Sequence, residues 1–339
     1  MPQNVPTSKI RIDQQALGGA SSELLLLRVR CETGMDGVGV CELELIVPAG
    51  ASLPAPGQPL TVALGLDGSE SDVFSGEIEA VQVGESWVRV VASDARARLA
   101  CTYLTGSYEA QGPGKIVRDL LGQAKVQVGS AADGPELASY VVFPQLSVLR
   151  HIERLAELMG ADLFIDAKGK ANFVAGDQQG ASVELRYGVD LLSAALERSG
   201  SVRAGVEVWG EGAASTQGSD KAHWLPDDLG GVKGSATVAS ARSYASSGPR
   251  TAFVQDGALR TGSAVGDAAK GRAAALDRPL RGVIEAIGLA RVAPTDTITL
   301  SSLPDGHPLA AILEQGSLRV RRVRHQLDGV RGFTTRLEF

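Results

Sequence analysis

The chain has 339 residues, 44% hydrophobic and 21% charged, which is typical of a globular protein with two or three domains. Its net charge of −6 includes no basic block of the kind that binds nucleic acid, so we expect no nucleic-acid recognition. It has no run of 18 apolar residues and no basic-then-apolar leader, so we predict no membrane span and expect assembly in the cytoplasm.

Residues 1–102 predict one compact β domain. A short strand, KIRID, precedes a hairpin in which LLLLRVRCE and VGVCELELIV flank Asp36-Gly37, a strong turn signal. Three more strands follow at the regular spacing of a sandwich or barrel: LTVALGLDG, DVFSGEIEAVQVG and SWVRVVASD. The 41 glycines and 15 prolines of the chain favour many such turns.

The chain contains three cysteines, Cys31, Cys41 and Cys101. An odd number without a CxxC spacing argues against a disulfide framework and against a zinc site. With the hairpin turn at Asp36-Gly37, Cys31 and Cys41 lie nearly opposite each other. A cross-strand disulfide and two buried thiols both remain open, and cytoplasmic synthesis favours thiols.

Residues 103–190 predict a small α/β module inserted between β domains. One helix begins at Pro113; a second follows Ser147, a good N-cap residue, and ends at Gly160. The hairpin ADLFID–AKG–KANFVA comes next. GPGK at 112–115 lacks the other residues of a phosphate loop, so we interpret it as a helix start.

Residues 191–339 predict a second β domain with C-terminal strands. The strand SVRAGVEVWG leads into a loop-rich insert at 211–249, and an alanine-rich helix is expected at Ser263–Asp277. GVIEAIGLA and TDTITLSS precede a terminal hairpin at Leu318–Phe339, whose partner strand must come from earlier in the chain. Loops at 48–59 and 211–249 are candidates for partner contact, because connecting loops often carry recognition.

Catalytic signatures are mostly missing from the sequence. Glu77 and Glu79 stand two apart on a strand, as glycosidase carboxylates do, but a solvated face explains them equally well. The chain has four histidines, His151, His223, His307 and His325, and they form no HxxxH or HExxH pattern. No GxSxG motif is present either. We expect a solvated His151 and a His325 that packs under the hairpin turn. We predict no catalytic residue, no cofactor and no metal site.

The terminal hairpin carries the one local basic concentration, which consists of Arg319, Arg321, Arg322, Arg324 and Arg331. Val320 and Val323 stand three residues apart, which predicts a β-bulge near Arg321-Arg322. Arginines on an exposed strand that pair with acids of a neighbour are one interpretation. A protein–protein interface, where arginine is enriched, is the other.

The order of these elements resembles one family. The matching stretches are Phe74–Val81 with Ala92–Leu99, Phe143–Phe173, Val202–Gly212 and Val320–Phe339. Together they resemble the tail hub proteins of contractile phages, the late control D group, which are related to the N-terminal part of VgrG in type VI secretion and to hubs of phage-like injection particles. VgrG proteins continue into an OB module and a β-helix, which are missing here, so we expect any spike to be a separate chain.

The resemblance implies a mainly β fold with an α/β insertion: two barrel-like tube domains per subunit plus a small α/β domain. It implies a non-enzymatic hub subunit of a virion tail or injection-particle baseplate. The subunit would form a homotrimer that joins a separate central spike protein, the tail tube or its initiator protein, and baseplate wedge proteins. The hairpin arginines would then face the channel or a contact between rings. The alternatives are a hydrolase, peptidoglycan-directed or other, with a site assembled from scattered residues, and a monomeric β-rich binding domain.

Overall fold

A computed structural model describes residues 4–13, 15–17, 24–48, 50–210, 232–242, 250–314 and 316–339. The helices are α1 (Ala95–Cys101), α2 (Pro113–Gln123), α3 (Val148–Met159), α4 (Gly262–Leu276) and α5 (Pro308–Leu313). The strands of the first half are β1 (Pro6–Ile12), β2 (Gln15–Leu17), β3 (Leu25–Gly34), β4 (Val40–Ile46), β5 (Pro59–Leu66), β6 (Ser69–Val83), β7 (Trp87–Ser93), β8 (Gly106–Gln111), β9 (Val128–Ala131), β10 (Leu137–Val142), β11 (Ala161–Ile165) and β12 (Ala171–Ala175). The strands of the second half are β13 (Ser182–Arg186), β14 (Leu191–Arg198), β15 (Gly205–Trp209), β16 (Lys233–Thr237), β17 (Thr251–Gln255), β18 (Leu280–Ile287), β19 (Thr297–Ser301), β20 (Leu318–Arg319), β21 (Arg322–Asp328) and β22 (Gly332–Glu338).

Eleven strands form one long antiparallel sheet in the order β14-β18-β22-β21-β3-β4-β7-β6-β5-β1-β2. The terminal hairpin lies inside this sheet, where β21 pairs with β3 and β22 pairs with β18. Its partners therefore come from earlier in the chain, as predicted, and the strands from the two ends of the chain form one sheet.

Two hydrophobic cores lie on the same face of this sheet. The first is built from β1 and β3–β7 and includes Val29, Leu60 and Phe74. The second lies where β13, β19 and β20, a separate three-stranded sheet, pack on β18, β21 and β22. Phe333 of β22 belongs to the first core and Leu337 of the same strand belongs to the second. The fold is mainly β, as predicted, and the terminal hairpin joins its two β parts.

A third core belongs to the α/β part. It holds α2, α3 and the β11–β12 hairpin, all at the predicted places. The hydroxyl of Ser147 accepts a hydrogen bond from the Arg150 amide at 3.4 Å, and Gly160 ends the helix in the left-handed region with φ +65°. Both observations confirm the predicted boundaries of α3.

Strand β15 and helix α4 also pack in this third core, through residues such as Val208 and Ala269. Helices α3 and α4 approach so closely that a Cβ atom on Gly271 would stand 1.8 Å from the carbonyl oxygen of Met159. A segment of predicted domain 191–339 therefore contributes its apolar face to the α/β part. The boundaries 1–102, 103–190 and 191–339 stay a prediction, and most of the insert at 211–249 lies outside the described residues.

The two buried histidines differ from expectation. The prediction that His151 is solvated is wrong: it is buried between Tyr140 and Phe143, with Nδ1 3.1 Å from the Tyr140 hydroxyl. His325 lies within the sheet rather than under the turn, and its Nδ1 is 3.0 Å from the hydroxyl of Thr335. Burial lowers the pKa of His325 to about 3, so it is neutral at ordinary pH.

Cys31 and Cys41 are direct partners across β3 and β4, as the hairpin turn predicts. They are free thiols whose sulfur atoms lie 3.2 Å apart, and burial raises the pKa of Cys41. None of the helices in the described ranges combines the length and apolar character that crossing a membrane requires.

Candidate assembly surface

The long sheet has one apolar face and one charged face. On β3, Val29 and Cys31 are buried in the first core, while Arg28, Arg30 and Glu32 alternate with them and stay half-buried on the other side. This alternation arises because successive side chains of a strand point to opposite faces. We call this second side the charged sheet face; it consists of Arg28, Arg30, Glu32, Glu42, Glu44, Arg89, Arg322, Arg324, Arg336 and Glu338.

Ion pairs cross the charged sheet face from strand to strand. Nη2 of Arg324 lies 2.7 Å from Oε2 of Glu32, and Nη2 of Arg89 lies 3.1 Å from Oε1 of Glu42. Arg322 reaches Glu32 at 3.6 Å. Each pair remains accessible to water and contributes less than about 1 kcal/mol. Their main effect is to leave a broad polar surface in which positive and negative charges balance locally.

An apolar row crosses one end of the charged sheet face. Leu25, Ile46 and Trp87 are opposite one another on β3, β4 and β7, and they are 55%, 37% and 40% exposed. Val330, which is 95% exposed, stands at the same end in the turn between β21 and β22. We call Leu25, Ile46, Trp87 and Val330 the apolar row. Adjacent exposed apolar side chains are typical of a surface that contacts another protein.

The structure distributes the five predicted arginines over three places. Arg322 and Arg324 lie on the charged sheet face, and Arg331 is exposed in the turn beside Val330. Arg319 ends β20, and Arg321 lies on the short connection to β21, where the chain passes from one sheet to another close to the predicted bulge. These two reach the α/β part instead.

Arg319 and Arg321 share one carboxylate, that of Asp162 on β11. Nη1 of Arg319 lies 2.8 Å from Oδ2 of Asp162, and Nη2 of Arg321 lies 3.1 Å from Oδ1. Nε of Arg319 also donates to the carbonyl of Gln178 at 2.8 Å. All three charged side chains are largely buried, so this tie joins the α/β part to the terminal hairpin. Sequence reasoning missed Asp162, because nothing local marks an acid that pairs 157 residues away.

The two strand carboxylates considered for catalysis share a cavity of about 460 Å³ with Arg98 and Lys125. Glu77 forms an ion pair with Arg98, and Glu79 accepts a hydrogen bond from the hydroxyl of Ser93. Each carboxylate thus has its own partner within the chain. Among the residues that the structure describes, no group of three or more histidine, cysteine or acidic side chains is placed to hold a metal ion.

Comparison with known proteins by sequence finds no matching family model and no matching curated protein. The fold, however, matches solved structures. One is the 43 kDa tail protein of prophage MuSo2 from Shewanella oneidensis, with a TM-score of 0.67, 14% identity, and coverage of 98% of this chain and 97% of that one. A tail protein from Neisseria meningitidis gives a TM-score of 0.66 at 13% identity, covering 98% and 96% of the two chains.

A third similar structure is a component of the type VI secretion system of E. coli, described as structurally similar to tail proteins of bacteriophage T4. Its TM-score is 0.58 at 12% identity, over 97% of this chain and 76% of that one. The chain therefore has the fold of phage tail and VgrG-like proteins, which confirms the resemblance found in the sequence.

Proposed function

We propose that this chain, which has the fold of phage tail and VgrG-like proteins, is a non-enzymatic hub subunit in the baseplate of a contractile tail or tail-like injection machine. The observation that carries the proposal is the long sheet itself: two cores back its apolar face, and its other face is polar along β22, β21, β3, β4 and β7. We propose that this charged sheet face lines a channel.

A channel wall needs a solvated surface that does not adhere to the cargo that passes it. The ion pairs of the charged sheet face meet that need, because they present neither an apolar patch nor a large area of charge of one sign. Its five strands cover about 24 Å at about 4.8 Å each, so three copies enclose a channel on the order of 20 Å wide. Two β parts in each of three subunits then give the proposed ring six similar β units.

The edges of the sheet support closure by other copies. Strand β14 ends the sheet on one side and β2 ends it on the other. An edge strand presents unpaired backbone N–H and C=O groups that can pair with other chains and cause aggregation. A neighbouring subunit that pairs with the edge strand, or covers it, satisfies or shields these groups. Heterologous contacts of this kind close into a ring when the rotation is right, and a homotrimer is the ring we propose.

The remaining surfaces receive the partners in this proposal. The apolar row lies at one end of the proposed channel wall, so it contacts the neighbouring ring, either the tail tube or its initiator protein. The α/β part faces outward to the baseplate wedge proteins. A separate central spike protein binds at the opposite end. The subunit assembles in the cytoplasm and ends in the virion tail or particle baseplate.

Mass photometry of the purified chain tests the trimer. We expect a species of three times the 35.2 kDa chain mass, and a cryo-EM ring with the charged sheet face inward. A monomer at every concentration would instead favour a single-copy binding domain, and a ring with this face outward would refute the channel assignment.

A matched pair of variants tests the apolar row. Trp87→Ser removes an exposed aromatic from the row, whereas Tyr103→Ser removes one that is 57% exposed on the connection between α1 and β8. We expect both variants to form trimers. Only Trp87→Ser should fail to co-assemble with the tail tube protein of the same assembly, measured by co-purification of the two expressed proteins. Equal co-purification of both variants would show that the row is not the ring contact.

A further inference from the structure

A second cavity, of about 540 Å³, opens where the tip of the β3–β4 hairpin meets the α/β part. We propose that it is an oxyanion-binding site, for phosphate, sulfate or a carboxylate. Five arginines from separate places in the fold line it: Arg96, Arg150, Arg272, Arg278 and Arg321. This concentration stands out in a chain whose net charge is −6.

The acids around the cavity are mostly committed to other arginines. Glu153 lies 3.0 Å from Arg150 and 3.6 Å from Arg96. Asp162 is held between Arg319 and Arg321. Arg321 is also the arginine that reaches Asp36, at 3.6 Å. Three of the four acids that line the cavity therefore pair with Arg96, Arg150, Arg319 or Arg321, and the fourth, Glu157, is exposed.

Arg272, on the C-terminal half of α4, and Arg278, two residues beyond the end of that helix, also line the cavity. Within the described residues neither guanidinium has a hydrogen bond or an ion pair, although Glu157 and Asp256 attract Arg272 from a distance, and Asp162 and Asp36 attract Arg278 in the same way. Burial lowers the pKa of both guanidinium groups, which are nonetheless charged at neutral pH. A desolvated charge without a close counter-ion is unfavourable, and an anion in the cavity reduces that penalty.

Unused donors at the cavity support the same assignment. Nε of Arg96, Arg272 and Arg321 has no acceptor among the described residues. Arg96 is almost fully buried, and its Nη1 already donates to the carbonyls of both Met35 and Gly37 at 2.8 Å. Buried donors are normally satisfied, and these three nitrogens gain acceptors if their side chains turn toward an oxyanion in the cavity.

The chemistry of the guanidinium group defines that occupant. Its planar fork binds the paired oxygens of a carboxylate, phosphate or sulfate in a bidentate manner. A free oxyanion and the acidic side chain of another protein present the same oxygens. The cavity volume accommodates either source, and titration with two probes distinguishes them.

The test is isothermal titration calorimetry of the full chain with inorganic phosphate and with a tetraglutamate peptide, at ionic strength held constant with chloride. Arg272→Met and Arg278→Met remove the two cavity arginines that form no ion pair with the described residues. Arg118→Met is the matched control, because Arg118 is an exposed arginine of the α/β part that pairs with Asp133 outside the cavity. We expect roughly tenfold weaker binding in the first two variants and unchanged binding in the third.

Thermal unfolding in chloride separates binding from folding. Because Arg272 is in no ion pair among the described residues, Arg272→Met should unfold at the same temperature as the original chain or higher, yet lose the rise in midpoint that phosphate causes. Saturation by phosphate alone identifies a free oxyanion as the ligand, and tighter binding of tetraglutamate identifies an acidic segment of a partner. Binding of neither probe, or equal weakening by Arg118→Met, overturns the proposal.

Discussion

Two pairs of arginines stand next to each other in the chain and serve different purposes. Arg319 and Arg321 are 15% and 13% exposed and share Asp162, whereas Arg322 and Arg324 are 34% and 28% exposed and share Glu32. The shortest distances are nearly equal, 2.8 Å to Asp162 and 2.7 Å to Glu32. Burial, rather than distance, therefore distinguishes the two pairs: Arg319 and Arg321 join two parts of the protein, whereas Arg322 and Arg324 form solvated surface ion pairs.

Removing strand β22 is expected to have the largest effect, because this strand holds both arginine pairs in place. A chain that ends at Gly329 loses the strand between β18 and β21, and with it Phe333 and Leu337 of the two β cores. We expect loss of cooperative thermal unfolding and of the trimer, measured by circular dichroism and mass photometry. Val330→Ser, a change at an exposed turn residue, is the control and should stay within about 0.5 kcal/mol. Normal assembly of the shortened chain would contradict the placement of the hairpin.

Asp162→Ala is expected to have the next largest effect. It leaves Arg319 and Arg321 buried without their shared counter-ion, which should lower the free energy of unfolding by about 2–4 kcal/mol. Urea denaturation followed by tryptophan fluorescence measures this change. A loss below about 1 kcal/mol would mean that the tie is as weak as the surface ion pairs.

The pH dependence of stability tests the buried face of β21, where the side chain of His325 lies opposite to that of Arg324. His325 has a pKa of about 3 when folded, so on acidification the unfolded state takes up a proton first. Stability should therefore fall between about pH 6.5 and pH 3, by up to about 1.4 kcal/mol per pH unit. Urea denaturation of the original chain and of His325→Gln across this range measures it, and the variant should show a shallower fall.

Asp94 acts in the opposite direction in part of that range. Burial raises its pKa to about 6, so between about pH 4 and 6 the folded state binds more protons than the unfolded state. Asp94 is present in both proteins, so the difference between them isolates His325. Parallel curves for the two proteins would mean that His325 is protonated in the folded state.

Glu32→Ala is expected to have the smallest effect. The ion pairs of Glu32 with Arg322 and Arg324 are accessible to solvent, so the free energy of unfolding should change by less than about 1 kcal/mol. At high salt, the same urea assay should show a still smaller difference in the free energy of unfolding between Glu32→Ala and the original chain, because salt screens exposed charges. A loss equal to that of Asp162→Ala would remove the contrast between the two arginine pairs.

The sequence by itself determined the features that depend on neighbouring residues. The N-cap Ser147 and the left-handed Gly160 mark both ends of α3, and the turn at Asp36-Gly37 places Cys31 opposite Cys41. The order of such stretches was also enough to identify the fold of phage tail proteins, which 14% identity to a solved structure does not make obvious. Caps, turns and alternation act over a few residues, so they are legible without the fold.

Only the tertiary structure decided which residues meet. It paired Arg319 with Asp162, buried His151 against Tyr140, and packed α4 on α3. These contacts depend on how surfaces fit after folding, and an acid on a strand looks the same in sequence whether it faces water or a buried arginine. The arginine cluster was visible in the sequence. Its division into a buried pair and an exposed pair depends on the break between β20 and β21 and on the α/β part that packs beside it.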